Sequence, residues 1–157
     1  MWKYNKWIKN GNGKIKEYYD NGNLEFEGEY LNGKRNGKGK EYWNNGKLKF
    51  AGEYLNGLRN GIGKEYDTWN DYDSHLIFEG EYLNGEKNGK GKEYGWFCRM
   101  IYLEFEGEYL NGEKNGKGKE YNNIGEIIFE GEYLNGERLN EWNFKEIKLK
   151  TLVIIEI

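Results

Sequence analysis

The chain has no proline, one cysteine and one histidine, and each shortage narrows what the protein can be. Cys98 has no partner for an internal disulfide, and no cysteine-based metal cluster can be assembled, so a reducing compartment is expected. Hydrophobic residues are only 36% of the chain and aromatics are 17%, so close to half of the apolar side chains are rings. A thick, leucine-rich core is therefore not expected. Charge of one sign is also missing: 24 basic and 27 acidic residues leave a net charge of −3. Nucleic acid and anionic lipid are held by a large basic excess, which this chain lacks. The longest apolar run, Leu152 to Ile155, is far too short to span a bilayer. The opening MWKYNKWIKNGNG has no signal-like apolar stretch, and a soluble, cytoplasmic protein is the expectation.

What is abundant is glycine, with 24 residues, and it recurs in order. The string GEYLNG begins at Gly28, Gly52, Gly80, Gly107 and Gly131, in steps of 24, 28, 27 and 24 residues. A fixed period of this size marks a repeat architecture. One unit, Leu24 to Lys47, reads LEFEGEYLNGKRNGKGKEYWNNGK. Leu24, Phe26, Gly28 and Tyr30 alternate with Glu25, Glu27 and Glu29, the period of a β-strand with one aromatic and one charged face. Asn32-Gly33 and Asn36-Gly37 both read as turn pairs, Gly37 to Trp43 reads as a second strand, and Asn45-Gly46 supplies the next turn.

Cross-strand chemistry suggests a register. If Gly28 faces Gly39, then Tyr30 faces Gly37, Glu29 faces Lys38 and Glu27 faces Lys40, so opposite charges meet. Through the next turn Gly39 faces Gly52, Gly37 faces Tyr54 and Lys38 faces Glu53. The pattern then repeats with Gly61 and Gly63, Gly89 and Gly91, and Gly116 and Gly118 in the places of Gly37 and Gly39. One face carries a glycine row that also includes Gly80, Gly107 and Gly131. It is flanked by Phe26, Phe50, Phe78, Phe105 and Phe129 on one side and by Tyr30, Tyr54, Tyr82, Tyr109 and Tyr133 on the other. A ring lying over bare glycine backbone would cover it from water and fix the register. The expected fold is all-β: an elongated, single-layer, twisted antiparallel meander of about eleven strands, stable only as a stack.

An aromatic, a glycine, an aromatic and three further glycines, met by Phe26, Gly28, Tyr30, Gly33, Gly37 and Gly39, resemble the MORN repeat (membrane occupation and recognition nexus). The same spacing recurs from Phe50, Phe78 and Phe105, so the resemblance covers roughly residues 11 to 140. It implies a hairpin-repeat sheet and a role in scaffolding, protein interaction or attachment near membranes. The array is expected over residues 1–144, with units near 11–23 (partial), 24–47, 48–75, 76–102, 103–126 and 127–144 (degenerate). Residues 145–157 then form a capping strand or tail. In the last unit Asn140 and Trp142 stand where glycines belong. Beyond them Ile147, Leu149, Val153, Ile155 and Ile157 alternate with lysines, as a strand that either caps the sheet or pairs two copies.

Two insertions fall at the same kind of turn and so at the same sheet edge: DTWNDYDSHLI after Tyr66 and GWFCRMIYLE after Tyr94. They gather Trp69, Tyr72, His75, Trp96, Phe97, Arg99 and Tyr102, the aromatics-with-arginine mixture that interface hot spots favour. Either these residues meet a partner or their rings fold back on the sheet end. Catalytic chemistry has little footing. His75 and Cys98 have no third group to orient them, Asp67, Asp71 and Asp73 miss the calcium-loop spacing, and the regular glutamates read as a solvated ladder with lysines. No catalytic residue, metal or cofactor is expected. The expected function is a non-enzymatic scaffold with an unidentified protein partner, with a homodimer as one form of it. The alternatives are a phospholipid-surface module, which the diluted basic charge disfavours, and the neutralising partner of a toxin, since the chain also resembles bacterial MORN-type antitoxin components.

Overall fold

A computed structural model of the chain describes residues 11–68 and 74–140. These form one antiparallel sheet in which every strand pairs with its sequence neighbours. Its strands are β1 (Gly13–Tyr18), β2 (Leu24–Leu31), β3 (Lys34–Tyr42), β4 (Leu48–Leu55), β5 (Leu58–Asp67) and β6 (His75–Leu83). They continue as β7 (Glu86–Phe97), β8 (Met100–Leu110), β9 (Glu113–Tyr121), β10 (Ile127–Leu134) and the two-residue β11 (Glu137–Arg138). The all-β meander expected from the alternation is what the chain forms. The strands of the degenerate last unit stop at Arg138, and Trp142 and residues 145–157 lie outside the described residues.

The register follows the glycines. Gly28 faces Gly39, Gly39 faces Gly52, and Glu27 faces Lys40. Between units Gly37 faces Tyr54 and Lys38 faces Glu53. Within a unit the expectation fails at one place: Tyr30 faces Arg35 instead of Gly37, and the register shifts between Gly28 and Tyr30. Asn32 (φ 52°) and Gly33 (φ 76°) alone close a tight hairpin, with the pair of positive φ values that type I′ turns demand. Asn36 and Gly37 therefore lie inside β3 as a bulge, where Gly37 (φ 93°) supplies the left-handed residue. The bulge brings the Glu29 carboxylate onto the Lys38 amide, which donates to it at 3.3 Å, in place of a direct Glu29–Lys38 pairing.

Bulges also tie one unit to the next. The Gly57 amide donates to the Arg35 carbonyl at 2.8 Å, and the Asn56 amide to the Asn36 carboxamide oxygen at 3.4 Å. Gly85 repeats the first bond with Arg59, and Gly136 with Lys114.

The core lies on one face only. Phe26, Phe50, Phe78 and Phe105 are wholly buried, and Tyr54, Tyr82, Tyr109 and Tyr133 nearly so. Each phenylalanine meets the tyrosine of its own unit and that of the next edge-on, at centroid distances such as 5.5 Å (Phe78–Tyr82) and 5.3 Å (Phe78–Tyr109). The chain of rings runs unbroken from Tyr30 to Phe129, each contact worth about 0.5–1.5 kcal/mol beyond area burial. Rings lie directly on glycine. A methyl group at Gly91 would come within 2.5 Å of Phe78 Cζ and 3.1 Å of Tyr109 Cε2. At the first strand Ile15 stands where later units have glycine, and it is buried.

Candidate partner-binding site

The second insertion does not form a loop. It extends β7 and β8 past the length of the other strands, with Gly95 opposite Tyr102, Trp96 opposite Ile101 and Phe97 opposite Met100. The turn is Cys98-Arg99, both at positive φ (48° and 65°) without a glycine. Non-glycine residues tolerate that region at a cost of roughly 1–2 kcal/mol each. The hairpin tip leaves Phe97 (52% exposed), Met100 (66%) and Ile101 (45%) in solvent, together with Cys98 and Arg99.

The first insertion adds one rung at its base, Asp67 opposite His75, before the chain leaves the described residues. The His75 ring meets the Trp96 ring at a centroid distance of 4.0 Å and a tilt of 37°. The two insertions therefore touch, as their shared edge implied. Trp69 and Tyr72 lie outside the described residues.

The five candidates among the described residues divide by role. Tyr102 folds back over the buried Gly95, where an added methyl would come within 2.6 Å of its hydroxyl, so it shapes the hairpin as Phe78 shapes the ladder. His75 and Trp96 brace the hairpin root. Phe97 and Arg99 stand at the tip. Met100 and Ile101 are also exposed at the hairpin end and carry neither the ring nor the charge that marks a contact residue in a sequence. The same edge continues at the next inter-unit turn with exposed Ile124, and with Ile127 and Ile128 at the start of β10.

A second arrangement departs from the expected solvated ladder. Glu17, Glu41, Glu65, Glu93 and Glu120 lie on the ring side of the sheet and take part in ion pairs there. Arg59 Nη2 donates to Glu41 at 2.9 Å and its other nitrogen to Glu65, while its guanidinium carbon sits 4.1 Å from the Phe50 centroid. Arg35, Lys87, Lys114 and Arg138 repeat the position over Phe26, Phe78, Phe105 and Phe129. Burial alone would raise the Glu41 carboxyl, but hydrogen bonds from Arg59 and Tyr54 and the Arg35 charge hold it below the usual carboxylate range. Tyr30 is pushed up to about 12, first by burial and then by its bond to Glu17. The signal was present in the sequence as one basic residue and one glutamate at fixed places in every unit.

The opposite face carries the lysine–glutamate rows that the register predicted, such as Lys64–Glu79 at 2.8 Å. Between the rows run two open grooves of about 780 and 880 Å³, floored by glycine and meeting at Ile62. Neither is lined by histidine or cysteine. Among the described residues no group of three or more His, Cys, Asp or Glu side chains is placed to hold a metal ion. No helix of the described residues is long and apolar enough to cross a membrane.

The repeat geometry now has a counterpart among known families. The sequence profile of the MORN repeat matches residues 26–47, 50–72, 78–95 and 105–125, more than half of the chain. The chain belongs to the MORN repeat family. Each matched stretch begins on a ladder phenylalanine and takes in the paired tyrosine, the hairpin turn and the bulge glycine, so the family signature is the set of residues that builds the sheet. The match at 78–95 stops where the protruding hairpin begins, which makes residues 96–101 an addition to the MORN pattern. No curated protein sequence matches the chain.

Proposed function

We propose that this MORN protein is a non-enzymatic scaffold that binds a protein partner through the sheet edge bearing the two insertions. The observation that carries the reading is the β7–β8 hairpin. It projects three apolar side chains, Phe97, Met100 and Ile101, into solvent beside Arg99, on a root braced by the His75–Trp96 stack. Full burial of such a side chain is worth roughly 1.5–3 kcal/mol, and covering the half that each of these still exposes about half of that, before ordering costs. A stiff hairpin keeps those ordering costs low. The ladder rings are already buried against each other, which favours the edge over the aromatic face as the contact surface.

The alternative of a phospholipid-surface module has less support. The basic side chains Arg35, Arg59, Lys87, Lys114 and Arg138 lie over phenylalanine rings and are paired with glutamates, so their charge is largely spent within the sheet. The deciding experiment compares affinity purification from the native host with the intact chain and with a version whose insertions are cut to the parent turn length. A stoichiometric protein recovered by the intact chain and lost by the trimmed one is the expected result. Identical partners for both would overturn the assignment to this edge, and strong pelleting of both with anionic liposomes at low salt would favour the membrane reading. A toxin as the recovered protein would identify the chain as an antitoxin-like neutralising partner.

A further inference from the structure

The edge opposite the insertions carries a row of half-exposed leucines. Each unit places one leucine just before its hairpin turn: Leu31, Leu55, Leu83, Leu110 and Leu134. Four of them are 48–49% exposed and the last 37%. The residue directly across each turn drifts from Lys34 through Leu58 to Glu86, Glu113 and Glu137, while the leucine never changes. A half-exposed position with no constraint would drift as its neighbour does. Strand alternation puts the leucines on the face away from the rings, with a glutamate two residues before each, such as Glu81 before Leu83 and Glu108 before Leu110.

Together with Leu58, also half exposed, the row uncovers on the order of 500 Å² of apolar surface. That is the size of patch that marks an interaction site on a soluble chain. An ordinary interface buries about 800 Å² per partner, a little over half of it apolar, so the row is large enough to hold one partner. The spacing favours one kind of partner. Leucines of successive units stand two strands apart, about 9.6 Å, and sheet twist lengthens the path along an edge. Seven residues of α-helix rise about 10.5 Å. The turns are fixed relative to one another, because Gly57 and Gly85 each hydrogen-bond the preceding unit's bulge. Neighbouring leucines thus stand within about 1 Å of a heptad rise, and because each strand turns the row by about 20–25°, a helix meets two or three of them at a time.

Charge completes the description. Lys87, Lys114 and Arg138 lie over rings on the other face, which leaves Glu86, Glu113 and Glu137 to set the sign of the leucine row in the later units. We propose that this leucine row is a docking site for a basic amphipathic helix of a partner protein, with apolar residues at heptad spacing and lysine or arginine on its flanks. The positive N-terminal end of such a helix would lie toward Glu137 and its C-terminal end toward Lys34. This surface is separate from the hairpin edge, and the proposal stands or falls without it.

The test uses the full chain and a fluorescein-labelled 28-residue helical peptide with leucines at heptad spacing and lysines on the flanks. A scrambled peptide of the same composition and the double variant Leu83→Gln/Leu110→Gln serve as comparisons. Because both leucines are half exposed, the variant should stay folded and lose only a few degrees of thermal midpoint, which circular dichroism checks. The expected result is binding by anisotropy that weakens at least tenfold in the variant and at least tenfold for the scrambled peptide. Equal binding by the variant, or by the scrambled peptide, overturns the proposal. So does a leucine-dependent dimer in sedimentation, which would make the occupant a second copy. Leucine-dependent pelleting with phosphatidylserine vesicles, without heptad-selective peptide binding, would make it a membrane.

Discussion

Gly91→Ala isolates the contact on which the array is built. The new methyl would lie 2.5 Å from Phe78 Cζ and 2.6 Å from Cε2, about 1 Å inside ordinary contact. Phe78 cannot easily withdraw, because it is wholly buried, with Tyr82 and Tyr109 edge-on at 5.5 and 5.3 Å and the Lys87 ammonium 4.3 Å over its face. Overpacking of this kind costs about 1–3 kcal/mol. Against it, alanine reduces the freedom of the unfolded chain by about 0.4–1 kcal/mol where the backbone allows it. The net expectation is a loss of about 1–2 kcal/mol, or roughly 3–6 °C in thermal midpoint for a chain of this length. Phe78→Leu alone should cost about 1–2 kcal/mol. Because leucine withdraws the atoms that the methyl strikes, the double variant should be less destabilised than the sum of the two, by about 1 kcal/mol in a double-mutant cycle followed by urea unfolding. Additive losses, or a neutral Gly91→Ala, would mean that the ring does not rest on that glycine.

Other perturbations follow from the same geometry. Phe78→Ala should cost about 3–5 kcal/mol, and Phe129→Ala clearly less, since Phe129 lies at the end of the row and is only partly buried; chemical denaturation of both compares them. Arg59→Lys should be tolerated within about 1 kcal/mol, because Lys87 and Lys114 fill the same place over Phe78 and Phe105. Arg59→Ala leaves Glu41 and Glu65 without that cation and should cost about 1.5–3 kcal/mol in the same assay. Tyr30, Tyr42 and Tyr94 are each pushed up to about 12, first by burial and then by a carboxylate partner. Their stabilising effect is complete below the ordinary tyrosine value near 10 and is lost as pH rises through about 12, so urea midpoints should hold to pH 10 and fall between 10 and 12. In acid the depressed carboxyls of Glu41, Glu93 and Glu120 give the opposite dependence, with stability lost as pH falls below the usual carboxylate range.

Much of the sheet was legible in the sequence because its signals are local and repeat. Alternation marks each strand, and the glycine-to-glycine register is the one that brings Glu27 opposite Lys40. The bulge was not legible, since Asn36-Gly37 and Asn32-Gly33 are the same dipeptide and in each the glycine takes a positive φ. Only closing a two-residue hairpin at the first pair decides that the second must be absorbed within a strand. The ion pairs on the ring face were half legible. Glu41 stands opposite Phe26 by ordinary alternation, yet a carboxylate on a ring face makes sense only once the chain brings Arg35 and Arg59 beside it.

At the candidate site the shared turn type put both insertions at one sheet edge, where His75 meets Trp96. It did not foresee that GWFCRMIY continues two strands, because Cys98-Arg99 carries none of the usual turn residues. For that reason the exposure of Met100 and Ile101 could be seen only in the folded hairpin.

The claim beneath all of this is that rings cover glycine backbone along the whole array, and proton NMR reads it directly through ring currents. The α-protons of Gly39, Gly63, Gly91 and Gly118, which lie under phenylalanine rings, should be shifted strongly upfield, while those of Gly46 and Gly125, with open space around them, stay near random-coil positions. Ladder glycines resonating with the turn glycines would contradict the account.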